Sequence, residues 1–136
     1  MAEIRISELS TGDWVRHTFY EDNLQIKRID GESERLLVEK GQMSVSCHLD
    51  HFEPIPLTPE ILEKNGFEKG EIYEGNSSIV FTNGNISISW FKKSKWYRLR
   101  IYNALGDTEL CSAIVHNTHQ LQHALRLAGV GKEIEV

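Results

Sequence analysis

Residues 53–67 read EPIPLTPEILEKNGF, and this stretch divides the chain. Pro54 and Pro56 hold the backbone extended, because proline fixes φ and pushes the preceding residue toward β or polyproline II geometry. Thr58 then supplies the cap of a helix whose first position is Pro59, where the missing N–H is not needed. Glu60 suits the positive end of that helix, and Asn65-Gly66 ends it in a left-handed turn. A short linker helix is therefore expected within residues 58–66, anchored by Ile61 and Leu62. It separates an N-terminal part, 1–57, from a C-terminal part, 67–136.

Working outward toward the N-terminus, four short runs alternate or are β-branched: DWVRHTF (13–19), NLQIKRI (23–29), RLLVEK (35–40) and QMSVSCH (42–48). Gly12-Asp13, Asp30-Gly31 and Lys40-Gly41 supply turn chemistry around them. Strands this short and closely spaced predict a small curled sheet of SH3-like type. Working the other way, SSIVFT and NISISWF flank Asn83-Gly84, a strong hairpin signal, and WYRLRIY (96–102) follows after KKSK. Period-two alternation turns Ile86, Ile88 and Trp90 to one face, together with Tyr97, Leu99 and Ile101. A strand near ELCSAIV precedes a terminal helix, and KEIEV is expected as an edge strand. The expected fold class is α+β: an SH3-like β-rich N-terminal part, then an antiparallel β-meander packed against one C-terminal helix.

The 136 residues carry a net charge of −5, which opposes nonspecific binding to nucleic acid. That charge is unevenly spread. Residues 85–102 hold five cations and no carboxylate, so the remaining chain holds ten cations against twenty acids. Two distant cysteines, Cys47 and Cys111, fit buried thiols in a reducing compartment. The opening MAEIRISELS has no apolar core of a signal peptide, and no run of apolar residues is long enough to span a membrane. A cytoplasmic protein is expected.

Three blocks carry a family resemblance: ELSTGDWV (8–15), IPLTPEILEKNGF (55–67) and HQLQ (119–122). They match the patterns E-L-x-x-G-x-x-V, I-P-L-T-x-E-x-L-x-K-x-G-F and H-x-L-Q. The chain thereby resembles a family of small proteins common in Bacteroidetes genomes and their prophages. After Gln122 it departs from the family pattern, where HALRLAG replaces an aromatic-containing segment of LYFAL type. The resemblance implies a cytoplasmic protein carried by a phage or other mobile element, and it supplies no mechanism.

Two groups of residues invite a functional reading. His116, His119 and His123 are spaced by three and four, but Asn117 reads as an N-cap with Gln120 completing a capping box. That leaves His116 outside the helix and only His119 and His123 as a helical pair. CHLDH offers Cys47, His48, Asp50 and His51 as further ligands for a composite zinc site. Around the helix, Leu121, Ala124, Leu125 and Ala128 form the apolar arc with Leu127 at its border. His119 and His123 then fall on a polar flank, where imidazoles face water or hydrogen-bond to neighbours, so no metal and no other cofactor is expected.

The second group is WFKKSKWYRLRIY. Phe91, Trp96, Arg98, Arg100 and Tyr102 share the face opposite the core, and Lys92, Lys93 and Lys95 crowd the turn. Aromatics interleaved with cations suit single-stranded nucleic acid, through stacking and phosphate contacts. Trp, Tyr and Arg are equally the types that anchor protein interfaces. The acidity of the rest of the chain favours a protein partner. Neither a G-x-S-x-G elbow nor a phosphate-binding G-x-x-x-x-G-K-[ST] loop is present, and Cys47 and His48, adjacent on a strand, point to opposite faces. The expected function is that of a small non-enzymatic interaction or accessory protein, with nucleic-acid binding as the alternative.

Overall fold

The computed structural model describes residues 4–70, 78–91 and 96–136. These form an α+β protein with two antiparallel five-stranded sheets and one main helix near the C-terminus. The chain divides into two units. One comprises residues 1–56 with 117–119 and 136, and the other 57–116 with 120–135. Among the described residues no helix is long and apolar enough to cross a membrane.

In the first unit, β1 (Trp14–His17), β2 (Asn23–Asp30), β3 (Arg35–Lys40), β4 (Met43–His48) and β5 (Phe52–Pro54) are ordered β4-β3-β2-β1-β5. The first four fall where alternation places them. The fifth comes from the start of the proline-rich stretch, and Pro54 is tolerated because β5 is an edge strand. One face of the sheet turns Val15, Leu24, Ile26, Leu36 and Val38 into a core closed by Ile4, Leu9, Leu49 and Phe52. The opening block ELSTGDWV is explained by this packing. Leu9 and Val15 are core residues, Gly12 takes a φ of 89°, and the Asp13 carboxylate accepts the Ser10 N–H at 2.8 Å. The cysteines, expected buried, are free thiols and only half-buried.

The second unit begins with α1 (Pro59–Lys64). Thr58 Oγ1 accepts the Ile61 N–H at 3.2 Å, and Gly66 follows the helix with a φ of 85°. Then come β6 (Glu68–Lys69), β7 (Ser78–Asn83), β8 (Ile86–Phe91), β9 (Tyr97–Tyr102) and β10 (Glu109–Val115), in the order β10-β9-β8-β7-β6. The main helix α2 (Thr118–Leu127) follows, and its Leu121 and Leu125 are fully buried. With Ile79, Phe81, Ile86, Ile88, Leu99 and Ile101 they make one apolar core, each such side chain contributing about 1.5–3 kcal/mol.

Three local expectations need correction. Asn83 pairs with Ile86, so the central turn residues are Gly84 and Asn85, one position later than the Asn-Gly signal implies. Only Gly84 takes a positive φ, 58°, as expected for glycine at the first central position of a type II′ turn. Leu127, placed by helical geometry at the border of the apolar arc, is 91% exposed. Finally, KEIEV forms no strand. Two side-chain amides hold it instead. Gln122 Nε2 donates to the Lys132 carbonyl at 3.0 Å and Gln122 Oε1 accepts the Ile134 N–H at 2.6 Å. Asn65 accepts the Glu135 N–H at 2.8 Å and donates to the Glu135 carbonyl at 2.7 Å, while also donating to the Ile61 carbonyl at the end of α1. Ile134 is buried in the same core.

Tyr97 ties the start of this unit to its sheet. Its hydroxyl donates to the Leu57 carbonyl at 2.9 Å. Burial, with the Glu60 carboxylate adding to it, pushes the phenol up to about 12. The folded state thus binds this proton more tightly than the unfolded chain, whose tyrosines titrate near ~10. The stabilisation is complete below that value and is lost as pH rises toward about 12. Spectrophotometric titration of Tyr97→Phe against the native chain is expected to remove the most alkaline phenol transition. Gln122→Ala is expected to cost about 1–3 kcal/mol in urea unfolding, because the Ile134 N–H is left buried without an acceptor.

Candidate functional site

The face of the second sheet opposite its core is built by the parity of β8 and β9. Ile86, Ile88, Tyr97, Leu99 and Ile101 are buried, and Trp90 packs against them. Phe91, Trp96, Arg98, Arg100 and Tyr102, turned the other way, are all half-buried. Lys92, Lys93 and Lys95 lie outside the described residues.

Register fixes the neighbours of each cation. Arg98 lies across from Ser89 on β8 and Ile114 on β10, and Arg100 across from Ser87 and Ser112. The serines are short, so they leave room above the sheet for the guanidinium groups. Arg100 Nε sits 3.6 Å from Glu109 Oε1, an ion pair open to solvent. Arg98 differs. Its Nε is shielded from solvent and has no hydrogen-bond acceptor among the described residues. Beside the arginines, the Phe91 and Trp96 rings lie 4.6 Å apart and tilted by 36°. The face therefore combines an aromatic pair, an ion-paired arginine and an arginine with a shielded donor left over. It can bind a carboxylate or phosphate flanked by an apolar or planar group.

Sequence alone missed the contribution of β10. ELCSAIV reads only as a strand before the terminal helix, with no face assigned, and Ile114 is 56% exposed beside Arg98. The signal was in the connectivity: the chain leaves β10 for a helix, so no later strand covers its outer edge.

The histidines separate. His119, expected on a polar flank facing water or a hydrogen-bonding neighbour, is 2% exposed, with Nε2 at 3.6 Å from Glu8 Oε2. The contact brings together Glu8, near the start of the chain, and His119, on the first turn of α2. His116 stays outside α2. Gln120 Oε1 accepts its backbone N–H at 2.7 Å, one residue earlier than the expected cap at Asn117. His48 Nδ1 accepts the Asp50 N–H at 3.2 Å and caps a 3₁₀ turn, Leu49–His51. The His51 ring stacks with that of His17 at 5.8 Å. His123 is half-buried on α2. Among the described residues no three His, Cys, Asp or Glu side chains are grouped to hold a metal.

An open cleft of about 670 Å³ in the first unit is lined by Ile4, Ile6, Leu49 and Phe52 together with Arg5, Glu34, Asp50 and Glu53. The neighbouring His48 faces the Glu34 and Asp50 carboxylates at 3.8 and 3.4 Å. Glu34 and Asp50 face His48 and Glu53 pairs with Arg16, which makes the cleft a weaker candidate than the Arg98 face.

His119→Ala is expected to lower stability by about 2–4 kcal/mol, through the cavity left in the core. Elemental analysis of untagged protein is expected to give the same zinc content before and after that change. No family model, curated protein or solved structure matches the chain.

Proposed function

We propose that this is a small non-enzymatic accessory protein that binds an acidic protein partner through the Phe91–Trp96–Arg98–Arg100–Tyr102 face. The observation that carries the reading is the shielded Arg98 Nε without an acceptor. A donor left so costs about 1–3 kcal/mol, and because Nε is closed to solvent a partner carboxylate recovers that cost by drawing the Arg98 side chain out to meet it. Lys92, Lys93 and Lys95 add positive charge next to this face in sequence and favour approach of an acidic surface. The first unit, with an SH3-like curled sheet, serves as scaffold in this reading. The resemblance of the three sequence blocks supports a cytoplasmic protein carried by a phage or other mobile element.

The Phe91–Trp96 ring pair favours the second reading, in which the same face stacks the bases of a single strand. The two readings separate by experiment. Arg98→Glu is the clean probe, because Arg100→Glu would also set two carboxylates together at Glu109. Native and Arg98→Glu baits are exposed to nuclease-treated host lysate and the captured proteins compared by quantitative mass spectrometry. The expected result is an acidic protein held by the native bait and lost at least tenfold on the variant, at an unchanged thermal midpoint. Micromolar binding of single-stranded DNA or RNA in mobility shifts, falling steeply with salt, would establish the second reading instead.

A further inference from the structure

Among the described residues β10 ends its sheet and pairs on one side only, with β9, and just beyond it the His116 carbonyl accepts the Leu57 N–H at 3.1 Å. Backbone parity shows which of its polar groups remain open. Tyr102 turns its N–H and C=O toward Asn85, on the β8 side. By alternation, Tyr97, Leu99 and Ile101 turn theirs toward β10. Their register partners Val115, Ala113 and Cys111 are therefore the residues that β9 holds. Ser112 and Ile114 present both N–H and C=O outward. The register shift between Glu109 and Cys111 leaves Leu110 outside the β9 ladder.

The side chains along this edge are apolar or small. Leu110 is 63% and Ile114 56% exposed, and residues 110–115 carry no charge. Of the charges beside it, Glu109 pairs with Arg100 and Arg126 with Glu133, while Arg98 lies one strand in, across from Ile114. A long apolar edge strand usually carries a lysine, a proline or an inward charge that blocks pairing. Residues 110–115 have none of these.

We propose that β10 pairs antiparallel with β10 of a second copy of this chain, with Ser112 on the two-fold axis. The edge is complementary to itself in that register. Ser112 faces the second copy's Ser112 and exchanges both backbone hydrogen bonds, and Leu110 lies across from the second copy's Ile114. On the core side, Cys111 lies across from the second copy's Ala113. A two-fold axis normal to the sheet keeps both α2 helices on that same side. There a cleft of about 210 Å³ between β10 and α2 is lined by Ala113, Ala124, Ala128 and the exposed Leu127. These small side chains leave room for the second copy's Leu127, the most exposed large apolar side chain described. Moving the two-fold axis by one residue, to Ala113, would set Ile114 against Ser112 and Leu110 against His116. A seam of about five residues a side is small beside the ~800 Å² per partner of typical stable dimers, so a weak association is expected.

Sedimentation velocity from low micromolar to several hundred micromolar protein tests the proposal. The native chain is expected to pass from monomer to dimer, and more readily with added salt, because two copies of charge −5 repel. Ser112→Pro removes an outward N–H without touching the β9 ladder, and Ile114→Lys places a charge in the seam. Each is expected to weaken dimerisation at least tenfold. The second variant keeps the test valid if proline lowers the melting temperature. A native chain that stays monomeric throughout, or variants that both dimerise like the native chain, would overturn the proposal.

Discussion

The alternation of one central strand governs the second unit. β9 has a neighbour on each side, so each of its residues is committed twice: to a face by its side chain and to a neighbour by its backbone. Tyr97, Leu99 and Ile101 go inward and give their backbone groups to β10. Arg98 and Arg100 go outward and give theirs to β8. The inward set cannot move without emptying the core that α2 covers. A slip of one residue would bury both guanidinium groups and expose three large apolar side chains, at a cost of many kcal/mol. The outer face and the open amides of β10 are thus fixed by the same constraint as the core.

Much of this was legible in the sequence, because period-two patterns report faces directly. The six core-facing residues of β8 and β9, four of the five strands of the first unit and the capped helix at Thr58-Pro59 all follow from local chemistry. What stayed hidden depends on neighbours distant in sequence. His119 looks like a flank residue by helical angle alone, yet it is buried beside Glu8, more than a hundred residues away. Leu127 fails in the opposite sense, since the core ends before the arc does. The hairpin turn moved by one residue because strand pairing, Asn83 with Ile86, outweighs the preference of an Asn-Gly pair.

The candidate site divides in the same way. Alternation assigned Phe91, Trp96, Arg98, Arg100 and Tyr102 to one face, but it could not separate the two arginines. Their difference lies in a bulge. The irregularity between Glu109 and Cys111 sets Glu109 across from Tyr102, within reach of Arg100 and not of Arg98. A single extra residue in a neighbouring strand therefore decides which cation is neutralised. Bulges of this kind re-aim side chains and cannot be placed from the composition of a strand.

The two amides that hold residues 132–135 carry a consequence for how this segment can vary. Asn65 and Gln122 read main-chain N–H and C=O groups only, so they are indifferent to what Lys132, Glu133 and Glu135 bear. Specificity falls on Ile134 alone, the side chain that enters the core. Exchanges at Lys132 and Glu135 are free to drift, while Glu133 is tied only by its exposed ion pair with Arg126. At position 134 only a side chain of similar apolar volume fits. The segment behaves as a peptide whose backbone is recognised and whose identity rests on one letter.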